Sequence, residues 1–174
     1  MSRPAPSRPP LAVDLQSSVR SALPAAARFT TWARAAAGSR GDGAEVAVRV
    51  VGLAEGRKLN LVWRGRDYAT NVLSFPVPTG APVATGAARR RTRPLGDIVL
   101  CAPVVAREAA RQGKPPIAHW AHLVVHGCLH LLGYDHERTI DARRMERRER
   151  RVLAALGFSD PYAPPEGEEH DQYR

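Results

Sequence analysis

Very little in this 174-residue chain can cross-link it: the two cysteines, Cys101 and Cys128, are far apart and belong to no C-x-x-C pair. That excludes a disulfide framework and fits a reducing, cytoplasmic setting. No apolar run approaches the roughly 18 residues that a membrane-spanning helix needs. Residues 1–10 carry arginine and proline but no apolar core, so they do not read as a secretory signal. Neither G-x-x-x-x-G-K-[ST] nor G-x-G-x-x-G occurs, which leaves a nucleotide cofactor without support. Lysine is nearly missing, since among 26 basic residues only Lys58 and Lys114 are not arginine. Acidic residues number 17, leaving a net charge of +9 and a pI near 10.7. Arginine binds phosphate through two parallel hydrogen bonds and stacks on bases. A basic excess suits a polyanionic partner, RNA before a membrane. Genomic composition accounts for much of the arginine preference, so the sign of the charge is the stronger observation.

What is present reads as one α+β domain, large enough to bury a core. Residues 1–10 are expected to be a disordered basic leader, 11–160 the folded domain and 161–174 a disordered tail. Leu11–Leu15 reads as a short strand, and Pro24–Ala37 as an amphipathic helix with Phe29, Trp32 and Ala36 inward. Ala44–Val51 alternates and is the clearest strand. A short helix over Ala54–Trp63 and a strand over Val72–Phe75, ended by Pro76, follow. Residues 77–94, with Arg89, Arg90 and Arg91, read as a mobile basic loop able to hold phosphates beside a site, or simply solvated. Gly96–Cys101 is a further strand and Pro103–Gln112 a helix. A last helix runs from Thr139 to Leu156 and is stopped by Gly157. The whole is a single compact domain, a small mixed sheet of about four strands packed with helices.

Five of the six histidines fall within residues 117–136. Pro115-Pro116 opens a helix there, and Gly133 ends it as a C′ glycine. His126 and His130, four apart, share one helix face. The turn after Gly133 returns His136 to the same point, giving H-x3-H-x5-H. Three imidazoles without a fourth protein ligand are the pattern of a catalytic rather than a structural zinc, and zinc lowers the pKa of its water to about 7. The spacing is that of a zincin-like metal site, but Gly127 replaces the general-base glutamate of a metalloprotease. His119 and His122 lie on the same stripe and read as core or rim residues. Glu149 falls on the buried side of the last helix, with Met145 and Val152. A carboxylate there costs energy unless paired, so it either supports a histidine or an arginine from behind or sits on the exposed rim. Asp135 is a second such candidate, able also to fill a fourth metal position.

The run His126-Gly127-Cys128-Leu129-His130-Leu131-Leu132-Gly133-Tyr134-Asp135-His136 resembles the signature of the YbeY family, bacterial metal-dependent endoribonucleases of ribosomal RNA maturation. Leu59–Pro76 resembles that family's other recurrent segment, and Gly96-Asp97-Ile98-Val99-Leu100 a third. The resemblance runs from about residue 11 to about residue 163. It implies a single-strand-preferring endoribonuclease of 16S ribosomal RNA maturation and ribosome quality control. On this reading His126, His130 and His136 hold one Zn2+, and zinc-activated water works with Arg64, which takes the position of the family's functional arginine. Thr70, Asn71 and Ser74 would line the same cleft. Implied partners are ribosomal RNA, the ribosome or small subunit and its assembly proteins. Three imidazoles also suit nickel or copper, and either water or the 2′-hydroxyl is a feasible nucleophile. Two other readings stand beside it: a non-catalytic, zinc-containing assembly factor, and a metalloprotease-like zinc hydrolase, which Gly127 disfavours.

Overall fold

A computed structural model of the chain describes residues 8–78 and 92–163. Arg89, Arg90 and Arg91 lie outside the described residues, as does most of the expected leader and tail. Four strands, β1 (Ala12–Ser17), β2 (Ala44–Val51), β3 (Val72–Pro76) and β4 (Arg93–Cys101), form one sheet in the order β1-β2-β4-β3. β1 and β4 flank β2 in parallel, and β3 runs antiparallel along β4. The helices are α1 (Ala26–Ala37), α2 (Leu53–Arg64), α3 (Ala102–Arg111), α4 (Pro116–Leu131) and α5 (Thr139–Ala155).

β2 alternates because both its faces have work to do. Val46, Val48 and Val50 are fully buried in the main core, while Ala47 and Arg49 face the other way. β4 begins at Arg93, before the expected Gly96. Pro94 reads as a breaker, yet the ladder absorbs it through an irregularity at Glu45/Val46, where Glu45 faces Pro94 and Val46 faces Gly96. A bulge is one of the few places a sheet tolerates proline. Gly96 has φ +140°, and a Cβ there would stand 2.2 Å from the Phe75 carbonyl oxygen. Only glycine fits that crossing.

The main core lies on one face of the sheet, under α1, α4 and α5. Phe29 packs against Trp32 and Trp120 with ring centroids 5.5 and 5.8 Å apart, and Arg34 Nε pins the start of β1 by donating to the Leu11 carbonyl. α4 is buried on nearly every side, with Trp120, Ala121, Leu123, Val124, Val125, Cys128 and Leu129 all enclosed. Burial raises the Cys128 thiol to about 12, so it packs as an apolar residue. Beyond its first turn, only the stripe of His122, His126 and His130 reaches partial exposure. A helix hydrophobic all round belongs in a core, and here that core holds the stripe rigidly. The opposite sheet face carries a smaller cluster of Val51, Leu73, Val99, Cys101 and Val104. Among the described residues no helix is long and apolar enough to cross a membrane.

Candidate metal centre and cleft

α4 delivers two candidate ligands and the turn after it a third. His126 Nε2 and His130 Nε2 lie 3.1 Å apart, and His136 Nδ1 lies 3.0 Å from His130 Nε2. Tetrahedral zinc with Zn–N near 2.0–2.1 Å would set such nitrogens about 3.3 Å apart, so both spacings are close to those of one ion, and all three nitrogens lie within 4.8 Å of one another. The turn is fixed at both ends. Gly133, at φ +87°, and Tyr134 donate to the carbonyls of His130 and Leu129. Arg40 donates to the Leu132 carbonyl at 2.7 Å, and the guanidinium groups of Arg40 and Arg144 sit 5.8 and 5.5 Å from the Tyr134 ring centre. Asp135 contributes to this turn through the backbone. Its Oδ1 accepts the N–H groups of His136 and Glu137, and the first of these holds its carboxyl below the usual range.

Glu149 does not sit on the rim. It is fully buried, and its Oε1 lies 2.7 Å from His126 Nδ1. A carboxylate can only accept, so Nδ1 carries the proton and the Nε2 lone pair is left facing the cleft. The Tyr162 hydroxyl donates to the other oxygen. His122 Nε2 stands 3.5 Å from that same oxygen, within ion-pair range but without a hydrogen bond. Burial would raise the Glu149 carboxyl, but His122, His126 and Tyr162 overcome it and hold the group at about 2. Burial and the neighbouring imidazoles push His130 down to about 4.

Tyr162 lies just past the expected end of the folded region and was invisible as a site residue. It reaches the site because Arg150 holds Asp160 by an ion pair at 3.0 Å and stacks 5.0 Å from the Tyr162 ring centre. Arg144 and Arg150, both exposed on α5, therefore have intramolecular roles. His119 behaves as a buried core histidine, 2.9 Å from Glu108.

The cleft before the three imidazoles has a volume of about 200 Å³ and is walled by Arg64, Thr70, Asn71 and Ser74. Arg64 is the last residue of α2, held there by Gly65 in the left-handed region, whose N–H returns to Asn60 and Leu61. Buried Asn60 ties the following turn by donating to the Tyr68 carbonyl at 2.7 Å. Asn71 lines the wall with both polar ends in use: Nδ2 donates to Glu108 and Oδ1 accepts from the Val72 N–H. That leaves Arg64 and the hydroxyls of Thr70 and Ser74 for a ligand. A Cβ at Gly127 would stand 3.0 Å from two carbons of Ile98. The position faces the sheet, and a protease's glutamate has no room there.

The sequence profile described as Endoribonuclease YbeY matches residues 12–157. The chain is 54% identical over 160 residues to an Endoribonuclease YbeY of Alkalilimnicola ehrlichii, covering 88% of this chain and 92% of that one. It is 52% identical over 161 residues to the protein of that name from Stenotrophomonas maltophilia, covering 90% and 97%. A solution structure from Thermotoga maritima shares the fold, with TM-score 0.51 at 22% identity, covering 87% of this chain and 99% of that one. With three imidazoles meeting beneath an arginine and a profile that spans nearly all of the described fold, this chain belongs to the YbeY endoribonuclease family.

Proposed function

We propose that the chain is a metal-dependent endoribonuclease that cuts single-stranded RNA during 16S ribosomal RNA maturation and ribosome quality control, in the cytoplasm and on or near the small subunit. The observation that carries this reading is the meeting of three imidazoles in one cleft with Arg64, the nitrogens of His126 and His136 standing 3.1 and 3.0 Å from His130 Nε2. A metal held by His126, His130 and His136, zinc by its donor set, would supply Lewis acidity and an activated nucleophile.

The chain's own groups do the rest. Arg64 offers a forked set of donors to two oxygens of the scissile phosphate and opposes the charge that grows there in the transition state. Thr70 and Ser74 are placed to orient the substrate by hydrogen bonds. Glu149 keeps His126 in the tautomer that points its lone pair at the cleft, and Tyr162 satisfies the oxygen that His126 does not use.

The test is cleavage of labelled single-stranded and duplex RNA by the purified protein, beside a chelated sample and the His130→Ala and Arg64→Ala variants. Cutting of the single strand that disappears in all three supports the reading. Cutting that survives His130→Ala points to a contaminating nuclease, and no cutting by folded, metal-loaded protein favours an assembly factor instead.

A further inference from the structure

Across the edge strand from the metal cleft, the face of the sheet turned away from α4 carries an open groove of about 660 Å³. Its apolar lining includes Leu59, Trp63, Phe75 and Val99. Trp63 is 64% exposed, whereas the other two tryptophans, Trp32 and Trp120, are 2% and 6% exposed. Its ring meets Phe75 at 5.4 Å between centroids with an interplanar angle of 60°. An exposed tryptophan held against a second aromatic ring is costly to leave in water unless something uses it. Two observations say what does. The groove borders the metal cleft across β3, because Ser74 lines both. Trp63 also immediately precedes Arg64 at the end of α2, so consecutive residues line the groove and the metal cleft on the two sides of the strand edge.

The charge of the groove selects the part of the substrate. Arg49 on its wall is engaged with Glu55 at 2.5 Å, and Asp97 stands exposed on its floor. A phosphate would be repelled there, while a neutral, flat ring would stack on Trp63 and offer its edge to Gln16, Ser74 and Asp97. Base–aromatic stacking accepts any base, since each has a π-face. We infer that Trp63 and Phe75 form a stacking platform for an unpaired nucleobase next to the scissile phosphate, so that the RNA strand crosses the sheet edge at Ser74. This rests on the endoribonuclease reading above and adds a reason for single-strand preference, because a paired base has no free face to give.

The test uses the full-length, metal-loaded protein and a short single-stranded RNA, with an abasic residue introduced in turn on each side of the cut. Trp63→Ala is expected to raise KM about tenfold, the order of one lost base stack, with kcat little changed, and Trp63→Phe to keep most of the affinity. One abasic substitution should cost the parent enzyme the same factor and cost Trp63→Ala almost nothing further. A strand with a 5′-methylene phosphonate at the scissile linkage, which neither water nor the 2′-hydroxyl can cut, should shield the exposed tryptophan emission from acrylamide in the parent but not in Trp63→Phe. If RNA is cut but the Trp63→Ala and abasic effects are absent or simply add, the platform is wrong and the groove serves another partner, such as a protein segment. If no form cuts RNA, the underlying reading fails instead. Unchanged thermal melting of Trp63→Ala, expected for so exposed a side chain, keeps either result from being a folding artefact.

Discussion

Glu149 shows how one buried carboxylate can set the chemistry of a site without entering it. Replacing it by glutamine keeps the volume but offers His126 an amide in place of an acceptor-only carboxylate, so the tautomer is no longer fixed. Metal affinity of Glu149→Gln, read by competition with a chromophoric chelator, is expected to fall about 10- to 100-fold. The same residue gives a pH signature in the metal-free protein. Its carboxyl is depressed from the ordinary 4.5 to about 2, so its stabilisation is present above about pH 4.5 and lost as pH falls toward 2. The melting-temperature gap between parent and Glu149→Gln should therefore be full at neutral pH and narrow through that window. A gap that stays constant down to pH 2 would contradict the assignment.

At the scale of elements, α4 is placed by what it lacks. Substituting alanine for Gly127 would gain about 1 kcal/mol of helix propensity, but the Cβ arrives 3.0 Å from Ile98 and overpacking costs about 1–3 kcal/mol. The balance is a small net loss, whereas Gly127→Glu forces a charge against the sheet. That variant is expected to melt many degrees lower or fail to fold, and to gain no peptidase activity; urea unfolding and a casein assay check both. The contrast shows which features a sequence displays. H-x3-H-x5-H and Gly133 were legible because helix spacing and a left-handed turn are local properties. β2 was legible through its alternation. The start of β4 was not, because Pro94 signals a break and only the partner strand shows the irregularity that accommodates it. Glu149 was visible as a conflict, a carboxylate in step with Met145 and Val152. Its resolution was hidden because His126 lies 23 residues away and Tyr162 stood in what read as a tail. The order β1-β2-β4-β3 is likewise a non-local fact that no window of sequence contains.

For the whole molecule, core and metal are separable. Phe29, Trp120, Leu129 and Ile98 are buried irrespective of any ion, unlike a zinc finger, which unfolds without one. Chelation should leave far-ultraviolet circular dichroism nearly unchanged, while the melting point drops by about 10 °C, the equivalent of about 4 kcal/mol at a thousandfold excess of metal over Kd. The net charge of +9 predicts that RNA affinity falls with salt. If three to five phosphates are neutralised, log K against log salt should slope by about −2 to −4 on a single strand, and Arg64→Ala should flatten it by roughly one phosphate's share. The way the three ligands are mounted has a longer consequence. His126 and His130 are carried by a helix enclosed in the core, whereas His136 hangs on a turn fastened from outside by Arg40 and Arg144. Sequence drift in the interior moves the first two as one body and preserves their spacing. Drift at two surface positions resets only the reach of the third, so lineages could retune their choice of metal without disturbing either the interior or the wall of the cleft.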